Sequence, residues 1–356
     1  MKAFYLNPEN QTIVDIITEK TLYFGMEDFK NKILQGDCCF ICGASPEEKP
    51  FNNEHVIPGW ILKKFGLHDK KMTLPNKARV LYGSYKIQCC QDCNSLLGSE
   101  IEGPMSKLFS QPYKQFVEIV ERTPEIIQDI FRWICLIYAK VHLKDKNYSY
   151  SLDKRVVSGP ISDRHSWEHI HHIHAIARSF YTKPKIDPRV YGTIYIVPAY
   201  QDDIEVYFDY YDSSFAYIVI LQLGSICIIS SLNDSCAGFT YFKNTFSRIN
   251  GPLTRLQIRE IAANLFYINV NLLSRPLYFS SISEGNYEIG VELPKTLELA
   301  GSDEALSLGE IMYDISKDIL PKNVDQELLK NLKAGRWTFL FDETGKFINN
   351  SLNSDK

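Results

Sequence analysis

Two pairs, Cys39-Phe40-Ile41-Cys42 and Cys90-Gln91-Asp92-Cys93, carry the spacing best suited to chemistry in this chain. Each sets two thiolates on one tight knuckle, and four such sulfurs fill the tetrahedral shell of zinc with no position left open. A closed shell is structural. It replaces the hydrophobic core that a small module cannot build, so metal binding becomes part of its folding free energy. Two pairs of equal internal spacing among nine cysteines point to metal rather than disulfides, in keeping with a reducing compartment. Cys38 and Cys89 adjoin the first member of each pair, and the two-residue spacing favours Cys39 and Cys90 over them.

Between the knuckles stands Asn53-Glu54-His55-Val56-Ile57-Pro58, and Asn94 follows the last cysteine. In a strand, adjacent side chains point to opposite faces, so Glu54 and His55 can take separate jobs. A carboxylate is a hard oxygen ligand for Mg²⁺ or Mn²⁺, and an imidazole titrating near neutrality is a natural general base for water. The amide oxygen of Asn94, at the start of a helix beside the second knuckle, can complete the protein's share of a metal site that keeps several waters.

The order Cys-x-x-Cys, Glu54-His55-Val56-Ile57-Pro58, Cys-x-x-Cys-Asn94, then Ser95-Leu96-Leu97-Gly98-Ser99-Glu100-Ile101-Glu102, resembles the HNH endonuclease family in its four-cysteine form. The resemblance covers residues 37 to 105, under a quarter of the chain. It implies a ββα-metal, treble-clef-like fold with structural zinc on Cys39, Cys42, Cys90 and Cys93. It also implies a catalytic Mg²⁺ or Mn²⁺ on Glu54 and Asn94, His55 as the base that activates water, and DNA as the partner whose phosphodiesters are hydrolysed. Bacterial proteins of this kind often serve phage defence, so restriction of foreign DNA is the implied role. Many family members place another asparagine a few residues before the third cysteine. Here that stretch is Ser84-Tyr85-Lys86-Ile87-Gln88, leaving Asn76 or Gln88 as the substitutes at hand.

Other clusters carry less. Lys63, Lys64, Lys70, Lys71, Lys77, Arg79 and Lys86 lie between the knuckles, with only Asp69 opposing them in the stretch from 63 to 86, a strip able to face phosphates but more often a solvated loop. Glu100 and Glu102 read as solvated helix residues, with the metal's outer shell as the alternative. In Trp167-Glu168-His169-Ile170-His171-His172-Ile173-His174, the isoleucines fit a packed amphipathic helix with a histidine side better than a second metal site.

The elements that must hold these groups follow from periodicity and punctuation. Residues 1–36 read as a lead-in of short strands, Thr12 to Ile17 and Thr21 to Phe24, before a helix from Met26 to Leu34. Residues 37–105 form the metal module, with Ile57 and Trp60 in its small core, and residues 106–185 a helical region with helices across Lys114 to Val141 and Ser166 to Tyr181. Residues 186–356 form an α+β domain of unknown role: strands at Val190–Val197, Ile204–Tyr210, Phe215–Leu223 and Ser225–Ser230, a helix from Thr254 to Leu273, another near Asp325 to Leu332, and a hairpin from Thr338 to Ile348. The fold class is therefore α+β. An apolar share of 45% suits a globular chain, and a net charge of -4 excludes a globally basic nucleic-acid coat. With no apolar run of roughly 18 residues and no signal-peptide layout, the expectation is a cytoplasmic protein with no membrane partner. The C-terminal region is expected to serve target choice, homo-oligomerisation or regulation by a protein or ligand. Two alternatives stand beside catalysis: a zinc-scaffolded nucleic-acid or protein-binding module with weak or lost activity, and an effector gated by a ligand.

Overall fold

The computed structural model describes residues 3–153, 155–200, 207–301 and 305–349. The chain is mixed α+β and divides into two compact units. One comprises Met1–Gln111, Phe116–Val190 and Tyr278–Val291, and the other Pro112–Gln115, Tyr191–Leu277 and Glu292–Lys356.

The first unit opens on an antiparallel sheet of β1 (Phe4–Leu6), β2 (Ile13–Asp15) and β3 (Lys20–Tyr23). α1 (Met26–Asp28) runs on as a π-helical stretch, Phe29–Leu34, which buries Phe29 and Ile33. The module follows with β4 (Phe51–His55), α2 (Gly59–Lys64), the hairpin of β5 (Lys71–Thr73) and β6 (Arg79–Leu81), β7 (Lys86–Cys90) and α3 (Gln91–Leu97). β4 and β7 pair antiparallel, setting Phe51 opposite Cys90, Glu54 opposite Ile87 and His55 opposite Lys86. α3 starts directly from Cys90, so a strand pair and a helix meet at the second knuckle.

After a π-helical segment at Gly98–Glu102 come α4 (Gly103–Leu108), α5 (Tyr113–Arg122), α6 (Ile126–Asp145), α7 (Trp167–Ala177), α8 (Ser179–Thr182) and β8 (Lys185–Ile186). α6 is the spine of this unit. From Trp133 to Leu143 every residue is buried, the state of a helix enclosed on all sides. Trp133 stacks on Trp60 of α2 and lies against Phe109, and Ile57 is buried nearby in sequence, as the sequence predicts for the module's core. Three polar groups, Lys140, His142 and Asp145, break this apolar surface, and His142 lies 3.2 Å from His165 Nε2. Asp145 accepts a 2.7 Å hydrogen bond from the Tyr85 hydroxyl, and Lys140 reaches β4.

The histidine-rich α7 and its C-cap Arg178 act as a clamp. His171 Nε2 donates to the Phe24 carbonyl at 2.6 Å and His174 Nε2 to the Phe40 carbonyl at 2.7 Å. Buried Arg178 donates to the carbonyls of Thr21, Leu22 and Ile41. Backbone acceptors that water cannot reach are thereby satisfied, and the lead-in strands and first knuckle are fixed to the helical region. This is why segments on both sides of residues 36 and 105 belong to one unit.

In the second unit, β9 (Ile194–Pro198), β10 (Phe208–Ser213), β11 (Ile218–Leu223) and β12 (Ile226–Ser231) form an antiparallel sheet in the order β10-β11-β12-β9. Part of the strand expected at Ile204–Tyr210 lies outside the described residues, and its described portion is β10. α9 (Ala237–Phe246) and α10 (Arg255–Val270) follow. Thr254 caps α10 in a reciprocal pair with Gln257, which is why the helix starts where the sequence predicts. Ile218, Ile220 and Ile229 of the sheet share a core with Ile258, Ile261 and Leu265 of α10. The chain then returns to the first unit as the hairpin of β13 (Leu277–Ser283) and β14 (Asn286–Glu292), β14 pairing parallel to β8. α11 (Leu308–Ser316) and α12 (Gln326–Lys333) precede a single bridge, Phe341 to Phe347, where the sequence predicts a full hairpin. Among the described residues no helix is long and apolar enough to cross a membrane.

Burial pushes the His171 imidazole down to about 4, only partly offset by its bond to Phe24. The unfolded chain, titrating near 6.5, binds that proton more readily, so this contribution to stability is complete above pH 6.5 and is lost as pH falls towards 4. Denaturant titrations of native protein and His171→Gln over that window should show the variant losing about 3 kcal/mol less stability. Equal pH slopes would contradict the clamp.

Candidate active site

The first knuckle turns through Gly43, at φ +79°, where the Phe24 ring packs so closely that a Cβ would lie 2.7 Å from its edge. Cys39 N–H donates to Ala44 and Gly43 N–H to Cys39, closing the loop. The second knuckle is the join of β7 and α3, with Cys90 at the end of the strand and Cys93 in the first helical turn. Since Phe51 of β4 pairs with Cys90, the strand pair delivers both knuckles to one point. The sulfurs of Cys39, Cys42, Cys90 and Cys93 all lie within 4.8 Å of one another, and those of Cys42 and Cys90 are 3.7 Å apart. A tetrahedron with metal–sulfur distances of about 2.3 Å has edges of about 3.8 Å, so the four could hold a metal such as zinc. Among the described residues it is the sole group of three or more His, Cys, Asp or Glu that could hold an ion, and His171 and His174 of α7 are turned to main-chain carbonyls.

The structure also separates the neighbouring thiols. Cys38 Sγ bonds the Lys32 carbonyl, and Cys89 is buried 3.8 Å from Cys39 Sγ yet outside the converging four.

At the end of β4, His55 is half-buried beside Gly59, with the His68 ring at 5.9 Å in an edge-on arrangement. Lys86 stands directly across the strand pair. Burial first, then the positive field of Lys86, lowers the His55 pKa, which keeps the imidazole neutral and able to accept a proton near pH 7.

Glu54 points into the protein and is 7% exposed. Its Oε1 takes a 2.9 Å bond from Lys140 Nζ, and the same ammonium donates to the His55 carbonyl at 2.8 Å and to Glu102 Oε1 at 3.3 Å. Burial would strip the proton from Lys140, but the two carboxylates outweigh it and raise its pKa. Burial likewise raises Glu102 to about 7, against the pull of Lys140. Glu102 is thus no solvated helix residue, contrary to the sequence expectation: the π-helical segment changes the helical phase after α3, and Glu102 turns inward. Glu100 does stay exposed, 2.8 Å from Lys183.

Asn94, on α3, donates from Nδ2 to Asn52 Oδ1 at 2.8 Å. Asn52 and Glu54 share a face of β4, so α3 lies over the face opposite His55. Among the described residues no hydrogen bond joins Asn94 to Glu54 or His55. Asn76 is engaged elsewhere, donating to the Ser149 carbonyl and capping Ala78, and Gln88 sits exposed opposite Asn53.

No family model, curated protein or solved structure matches this chain.

The donor sets differ in fitness for metal. Four thiolates at tetrahedral spacing fit zinc. A divalent ion shared by Glu54 and Asn94 does not fit the side chains as they stand: the Lys140 ammonium already occupies Glu54, and Asn94 is bonded to Asn52. The sequence reading missed two participants. Lys86, read as part of the basic strip, gains its place opposite His55 from the register, whereas Lys140 was legible only as a lone cation in an apolar helical run. His68 has no local signature.

Cys90→Ser should lose bound zinc and cooperative unfolding of the first unit, while Cys89→Ser keeps one zinc per chain, measured by elemental analysis and thermal denaturation. Equal zinc loss in both would reassign the fourth ligand.

Proposed function

We propose that the frame of β4, β7 and α3 is an HNH-type, treble-clef-like endonuclease module that hydrolyses DNA phosphodiesters, with His55 as general base. The observation that supports it is the convergence of the four cysteines at the join of β7 and α3, which leaves His55 beside Lys86 at the free end of the strand pair. The metal at the thiolates is zinc and performs no chemistry, because its shell is closed. A water proton passes to the neutral His55 imidazole, the hydroxide attacks phosphorus in line, and the bond to the leaving oxygen breaks. Lys86 offsets the phosphate charge, and a proton returns to the leaving oxygen from His68, which is exposed with its ring 5.9 Å from that of His55. Proton transfer by a positioned side chain contributes roughly 10²- to 10⁴-fold. Family resemblance implies Mg²⁺ or Mn²⁺ as well. No step here is routed through it, because Glu54 is held by Lys140.

A second reading has its own observation. Glu54 and Asn94 are both engaged within the protein, as expected of a zinc-scaffolded nucleic-acid-binding module without catalysis.

Plasmid cleavage assays in Mg²⁺, Mn²⁺ and metal-free buffer separate the two. The native protein should cut, and His55→Ala should reduce the rate at least 100-fold with zinc content and thermal stability unchanged. No cutting under any of these conditions, or a fully active variant, would favour the binding module.

A further inference from the structure

Lys140 is 0% exposed, a rare state for a lysine, and each of its three N–H donors has one oxygen in reach. Two of those oxygens are carboxylate and one is a main-chain carbonyl. Such a set is the hard oxygen shell of a cation. The elements supplying it are far apart in sequence: Glu54 and His55 end β4, Glu102 closes the π-helical segment after α3, and Lys140 comes from the middle of α6. No water bridge or rearrangement is needed to complete it, since the ammonium already fills the centre.

We infer that Lys140 is the built-in cation of this site: bonded to Glu102 as well, it occupies and neutralises Glu54, the carboxylate that the family resemblance makes a ligand of the divalent metal. Glu54 is then a positioning residue, and its carboxylate and Lys140 together pin the carbonyl of His55 so that the imidazole is presented at the end of the strand. Lys86, across the strand pair, remains the cation on the substrate side. The inference rests on the reading of His55 as the base, and it goes further by assigning the charge of the site to the chain itself.

The test is Mn²⁺ binding to the full-length, zinc-loaded protein, followed by electron paramagnetic resonance and by the shift of the melting temperature. Glu54→Gln should leave Mn²⁺ affinity within twofold of native. Lys140→Met uncovers two carboxylates and should gain at least tenfold in Mn²⁺ affinity, a gain removed in the Glu54→Gln/Lys140→Met double variant. If Lys140→Met folds only with Mn²⁺ present, that rescue is the same result in another form. Tenfold weaker binding in Glu54→Gln alone would overturn the inference, as would a folded Lys140→Met with native affinity. Cleavage is read separately. A protein that never cuts but passes the Mn²⁺ test loses only the nuclease reading, and one that cuts but fails it loses only the role of Lys140.

Discussion

Four cysteine sulfurs lie within 4.8 Å of one another, and four thiolates so close repel one another unless a cation lies between them. That constraint organises the first unit. It joins a turn at Cys39–Cys42 to a strand–helix junction at Cys90–Cys93, and it spans a loop containing β4, α2 and the β5–β6 hairpin. With the junction fixed, β4 has a defined neighbour in β7, and the position of His55 relative to Lys86 follows from register. Closing so long a loop costs entropy, and a metal bound at the four sulfurs would offset part of it.

The surrounding helices stabilise this frame through polar groups placed in otherwise apolar surroundings. α7 and its cap satisfy the carbonyls of Phe40 and Ile41 inside the first knuckle, and buried Arg178 sets positive charge near the anionic cluster of thiolates. α6 does the same for the second half, through Lys140 to β4 and Asp145 to Tyr85. Each is a buried polar group whose removal leaves its partner unsatisfied, which is expensive, so these contacts specify one arrangement more than they add net stability.

The parts legible in the sequence were those with local signatures. Cys-x-x-Cys spacing picked out the four cysteines that come together, periodicity marked a helix from Thr254, and the isoleucines of the histidine string showed a packed helix. What remained hidden depends on tertiary proximity. Glu102 looked solvated because an ordinary helical phase was assumed, and the π-helical segment altered it. Lys140 lies 86 residues from Glu54, and no pattern along the chain pairs them. Hairpin β13–β14 went unread because it returns to β8 from beyond the second unit's sheet. Short apolar stretches of that kind carry no periodicity strong enough to declare their partner.

The central claim is a closed shell of four sulfurs that builds the site without taking part in it. Zinc K-edge X-ray absorption of the purified protein tests it most directly. The account predicts a single shell of four sulfurs at about 2.3 Å, with no nitrogen or oxygen scatterer and no change on adding DNA. A shell with fewer sulfurs, or one gaining an oxygen when DNA is added, would contradict it by making the metal a participant in the chemistry.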